Sequence, residues 1–201
     1  MIPIEPPAGP APVASEFYIE RNQIKTESFS KLSQIQSNPG DRWIGKITLP
    51  VLSADQAADW LGFFDALDGF IGSFWLSHPD YTELRGSARG STSGRVFGDM
   101  QRGSILSTDG WAPNLSGAFR RGDIIQVGDK LKRVVEDADT DSVGRISLKI
   151  APKIYTPIPD NTAIATSNPR GIFRLAEGFV APSADEMRRH TISFAVEELL
   201  L

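Results

Sequence analysis

The 201-residue sequence contains no cysteine, which excludes disulfides, thiolate metal sites and a cysteine nucleophile on chemistry alone. Only two histidines are present, His78 and His190, so imidazole-based catalysis or metal binding has little to draw on. No window approaches the ~20 apolar residues of a membrane-spanning helix. The opening MIPIEPPAGPAPVAS has neither the basic start nor the apolar run of a secretory signal. The expectation is a soluble chain with no membrane span. Basic residues form no stripe, and the formal charge is −4 at pH 7, which argues against specific binding of a nucleic-acid backbone. What the chain does have is turn chemistry, with 18 glycines and 14 prolines. Many short strands joined by turns follow from this, a mainly β protein with one amphipathic α-helix.

That helix lies in Arg42–Pro79, which reads as strand, helix, strand. Trp43, Gly45, Ile47 and Leu49 alternate with Ile44, Lys46 and Thr48, the period of a strand. Pro50 stops it. Ser53 and Gln56 form a capping box, and Ala57, Trp60, Leu61, Phe64 and Leu67 share one face of a helix over 53–68. Gly69 offers the stop, and Phe70–Ser77 reads as a second strand. Upstream, residues 1–14 carry prolines at 3, 6, 7, 10 and 12 and predict an extended arm, either frayed or lying on a neighbouring subunit. Glu16–Gln23 and Glu27–Gln36 read as two strands, followed by a turn at Ser37–Asp41.

Beyond Pro79 the chain becomes rich in glycine, serine and arginine, which marks a boundary. Strands then return: SIL from Ser104, Gly122–Gly128, Leu131–Val135 and Arg145–Ile150, with a short closing strand within Thr162–Thr166. Asn168–Gly171 is a second boundary turn. Ile172–Leu175, Gly178–Val180 and Thr191–Val196 complete the set. The first module recovers the terminal strand, so 82–167 is an inserted domain and 15–81 plus 168–201 form a discontinuous host. Trp60 and Phe64 are then expected against Phe194 rather than against Ile124 or Ile146.

No motif carries chemistry. Asp137–Asp141 resembles the start of a calcium loop, but Ser142 stands where glycine is required and Leu148 where a bidentate glutamate is required. His78 and His190 have Ser77, Asp80, Ser183 and Asp185 nearby in sequence, but no GxSxG elbow. The glycines from Gly86 to Gly94 lack a P-loop lysine. Asp65 with Asp68, and Glu197 with Glu198, read as solvated ends. The expectation is a protein that is not an enzyme and takes no cofactor.

The blocks RWIGKITLP, SADQAADWLGFFDALDGFIGSFWLSHPD and GDIIQVGDKLKRVVEDADTDSVGRISLKIAP, with Asn168–Leu175 after them, resemble the distal or minor tail proteins of long-tailed bacteriophages. The resemblance covers most of the chain after Arg42. It implies a β-sandwich host domain with one helix and an inserted OB-like β-barrel. It also implies a ring that joins the tail tube protein to the hub or other baseplate proteins, a hexamer by analogy with tail rings and a trimer as the alternative. Localisation would be the tail tip of the virion, after synthesis as a soluble protein in the host cytoplasm. In this reading Trp43, Trp60, Phe64, Phe74, Trp75 and Phe194 belong to the core or the interface between subunits, and Trp111 is exposed on the barrel. A carbohydrate-binding or host-attachment module of a tail tip is the alternative, with Trp60, Trp75 and Trp111 as stacking platforms.

Overall fold

The computed structural model describes residues 2–178, 180–185 and 189–200. The chain runs through β1 (Ala14–Glu20), β2 (Gln23–Glu27), β3 (Ser33–Ser37), β4 (Arg42–Thr48), α1 (Ala54–Leu67) and β5 (Phe74–Ser77). It continues through β6 (Arg95–Val96), β7 (Gln101–Asp109), β8 (Ile124–Val127), β9 (Lys130–Val134), β10 (Ile146–Ile158) and β11 (Ile164–Ala165). Last come β12 (Arg170–Leu175), β13 (Ser183–Ala184), β14 (His190–Thr191) and β15 (Ser193–Glu198). The fold is mainly β with one helix.

One sheet has the order β1-β4-β15-β12-β5, so its strands come from both ends of the chain. The second, β11-β8-β9-β10-β7-β6, draws only on the stretch between them. It is nearly closed into a barrel: Val96 N donates to Thr162 O at 2.9 Å and Ile164 N to Gly94 O at 2.9 Å, joining the β6 and β11 edges. The chain enters and leaves this barrel at adjacent points, where Asn168 N donates to Thr82 O at 2.6 Å and Ser77 Oγ to Asn168 Oδ1 at 3.1 Å.

The five-stranded sheet buries one face. Its register places Phe17 opposite Gly45, Ile47 opposite Phe194, and Phe173 opposite both Phe74 and Glu198. The facing layer is α1 towards one end and barrel strand β9 towards the other, so the second layer of the sandwich is helix and barrel rather than a second sheet. Trp60 and Phe64 meet Phe194 at ring-centroid distances of 5.8 and 5.1 Å, as the sequence pattern expects. Trp43 is 0 % exposed, and its Nε1 donates to Leu131 O at 3.0 Å, linking sheet to barrel. A second apolar cluster around Leu106, Phe119, Ile125 and Leu148 fills the barrel.

Ser53 makes both bonds of the capping box: Gln56 N donates to Ser53 Oγ at 3.3 Å and Ser53 N to Gln56 Oε1 at 3.0 Å. The buried face of α1 includes Phe63, which the sequence pattern overlooks, while Leu61 is only half-buried. The strand expected over Phe70–Ser77 begins only at Phe74. Asp68 and Gly69 both take left-handed backbone, and Gly72 N reaches back to Leu67 O at 2.7 Å. That exit consumes the residues in between and leaves Phe70 and Ile71 exposed.

Glu27–Gln36 is likewise not one strand. Phe29, Leu32 and Ile35 recur every three residues instead of every two, and a turn at Ser28–Leu32, with Lys31 at positive φ, separates β2 from β3. The N-terminal arm lies on its own subunit: Ile4 N donates to Ser73 O and Trp75 N to Ile4 O, extending the sheet beside β5. Further along, the arm passes over the Trp60 indole at Gly9, and Val13 N joins Thr48 O.

Candidate interaction surface

Of the two histidines, one is buried in the host core and the other lies in a short two-stranded ribbon. The His78 ring is 2 % exposed among Phe17, Trp43 and Tyr81. Its Nδ1 accepts from Asp80 N at 3.2 Å, and its Nε2 has no partner among the described residues. His190 lies in the β13–β14 ribbon, with its backbone bonded to Leu52. Ser77 is bonded to Asn168, and Asp185 pairs with Arg189. His78 thus bonds the Asp80 backbone and also feels the charge of the Asp80 carboxylate.

Burial, with a further push from the Arg133 guanidinium, lowers the His78 pKa to about 4. The unfolded chain takes its proton near 6.5, so the folded state loses stability as pH falls from about 6.5 towards 4. The loss is expected to reach at most about 3 kcal/mol. Thermal melts at pH 7 and pH 4.5 check it, because the part removed by His78→Gln is this residue's share. An unchanged pH dependence in the variant would refute the assignment.

The acidic loop behaves as a set of backbone caps. Asp137 Oδ1 accepts from Arg121 N at 2.7 Å, Asp139 Oδ1 from Gly117 N at 2.6 Å, and Asp141 Oδ1 from Arg145 N at 2.7 Å and Val143 N at 2.9 Å. The Arg145 bond holds the Asp141 carboxyl below the usual carboxylate range. The glycine cluster serves packing: a Cβ on Gly86 would strike the Ala118 carbonyl, and one on Gly94 would overlap the Trp111 ring.

Trp111 is not the exposed platform expected on the barrel. It is 5 % exposed, packs edge-on against Phe119 at 5.0 Å, and donates from Nε1 to Thr108 Oγ1 at 2.8 Å. The Gly110 corner turns the indole inward, and Gly94 leaves the space it fills. Trp43, Trp60, Phe64, Phe74 and Phe194 are all buried within the subunit. Trp75 is half-buried under the Arg170 guanidinium, 4.8 Å from its ring centroid, and Arg170 also pairs with Glu5 at 2.8 Å. Glu198, expected to be solvated, is buried. Its oxygens accept from Trp43 N and Leu131 N, each at 3.3 Å.

The exposed apolar surface gathers instead on the β2–β3 ribbon. Every residue of both strands is exposed. The register puts Ile24 on one face and Ile35 on the other, with Phe29 and Leu32 at the tip, all four largely bare to solvent. Its base is firm. Asp41, itself buried, binds Arg21 Nη1 at 2.8 Å and Asn22 N at 3.0 Å, while Asn38 N donates to Asn22 O at 2.8 Å. The ribbon thus stands off the body from a fixed point next to β1, whose outer edge pairs with no described strand. A contact surface with these properties shows in the sequence only as apolar residues out of step with the strand period.

Among the described residues no helix is long and apolar enough to cross a membrane. Comparison with protein-family models and with curated protein sequences finds no match for this chain.

Proposed function

We propose that the protein is a structural subunit of a long-tailed bacteriophage tail tip, a distal tail protein whose copies close into a ring between the tail tube and the baseplate or hub. The observation that carries this reading is the stand-off ribbon with bare apolar residues on both faces and at its tip. A lone two-stranded ribbon is marginal in water, and this one sheds its apolar exposure only against another chain. A projection on one side of a subunit, received on a different side of the next, makes a head-to-tail contact, and such contacts close into rings when the rotation allows. The free edge of β1 beside the ribbon adds a main-chain docking line. The resemblance noted in the sequence supplies the setting, a hexamer or a trimer in the virion that works without catalysis or cofactor. The sugar-binding alternative has less support, because Trp60 and Trp111 are core residues and Trp75 is covered by Arg170.

Light scattering and electron microscopy of the full chain are expected to find a ring. The double substitution Phe29→Asp with Leu32→Asp is expected to weaken association at least ~100-fold. It should leave the melting temperature within ~2 °C, since both side chains are exposed in the subunit. A chain that stays monomeric at high concentration and is missing from purified tail tips would end this reading.

A further inference from the structure

A sizeable cavity lies where the barrel joins the host, in the gap left as β9 and β10 part company. These strands pair only at Val134–Ile150 and Arg133–Ala151, after which β10 follows β7. The opening has a volume of about 560 Å³, within the range of small-molecule sites. Its walls are largely apolar, with Val127, Ile154, Pro157 and Ile158 among them.

The charged residues on these walls are unbalanced, three lysines (Lys130, Lys132 and Lys153) against the single acid Asp129. Lys130 is spoken for, since its Nζ donates to Leu199 O at 2.5 Å. Lys132 is different. It sits opposite Ile125 on the barrel-facing side of β9 and is only 5 % exposed. It makes no hydrogen bond or ion pair with any described residue. The buried Glu198 attracts it from beyond bonding distance, with both Glu198 oxygens already turned to Trp43 N and Leu131 N. The Lys132 ammonium keeps a narrow contact with solvent but loses most of its hydration without gaining a hydrogen-bonding partner, and this desolvation lowers its pKa. An anion entering the cavity would supply the missing acceptor, while its apolar body covers the walls.

We infer that this cavity is a binding site for a small organic carboxylate with an apolar chain, its carboxylate seated on Lys132 with Lys153 at the rim. Decanoate below its micellar concentration is a suitable probe, titrated into the full chain and followed through backbone amide NMR. The expected result is saturable one-to-one binding, with shifts centred on Val127, Gly128 and Ile154. Decanol should bind at least ~10-fold more weakly, because it cannot form the charge-assisted bond. Lys132→Met should bring acid and alcohol within ~2-fold of each other, and Lys153→Met should weaken the acid ~3-fold. Since Lys153 is exposed, that second variant folds even where the first does not. Equal binding of acid and alcohol to the unmodified chain, or shifts centred elsewhere, would overturn the assignment.

Discussion

Trp43→Ala is expected to lower stability by about 3–5 kcal/mol, the range for truncating a fully buried aromatic. It should also split a single unfolding transition into two. The size follows from the position: Trp43 stacks on Phe17 at 5.4 Å, meets His78 edge-on at 5.6 Å, and carries the Arg133 guanidinium 4.7 Å from its ring centroid. The splitting follows from the partners. Phe17 belongs to the five-stranded sheet, whereas Arg133 and the Leu131 carbonyl that accepts from the indole belong to barrel strand β9. Removing the indole takes away the largest side chain that both units share, leaving Ile124 and Leu131 as the barrel residues in the host cluster and a separate apolar cluster inside the barrel. Scanning calorimetry reads both effects. A single transition displaced by less than ~1 kcal/mol would show that the two units are coupled by other contacts.

Asp123→Ala is expected to cost a similar amount, about 3–5 kcal/mol, through unpaired buried donors rather than a cavity. The Asp123 side chain is fully buried, and its two oxygens accept from Arg85 N, Arg85 Nε, Gly86 N and Arg120 N at 2.9–3.2 Å. Arg85 additionally donates from Nη2 to the Arg121 carbonyl. One carboxylate thereby holds the segment entering the barrel against the turn before β8. Without it, three backbone N–H groups and a guanidinium lose their acceptor together. Amide hydrogen exchange should show lost protection concentrated at Arg85–Ala88 and Arg120–Ile124. Asp123→Asn keeps one acceptor oxygen and should lose about half as much. Equal stability of the alanine variant would mean that water replaces the carboxylate at no cost.

The sequence discloses some of these features and conceals others for identifiable reasons. The capping box at Ser53 and the alternation from Trp43 to Leu49 are local patterns, and both appear where the spacing puts them. The pairing of Phe194 with Trp60 is long-range, yet it is readable because the terminal strand alternates cleanly and needs an apolar partner. Trp111 misleads because a corner rich in glycine and proline suggests exposure. The space for its ring is provided by Gly94, which no periodicity links to it. Asp123 and Glu198 look like ordinary acids at the ends of strands. Their burial depends on backbone donors, from Gly86 in one case and from Trp43 and Leu131 in the other, that only the folded topology brings near. Lys132 is hidden in the same way, because its alternation with Lys130 and Arg133 around Leu131 does not show which side is buried.

The interleaving of the two ends in one sheet has a consequence for biosynthesis. As the chain leaves the ribosome, β4 and α1 emerge well before β15, which pairs with β4 from Ser193 to Glu197. The barrel's strands all lie between Arg95 and Ala165, so it is complete while the host sheet still has an open seam. Trp60, Phe64 and Ile47 therefore wait without Phe194 until β15 has emerged, and their exposed surface in that interval favours premature association. The arm before β1, made ahead of these elements, can cover part of that surface as soon as they emerge, with Ile4 beside β5 and Gly9 over Trp60.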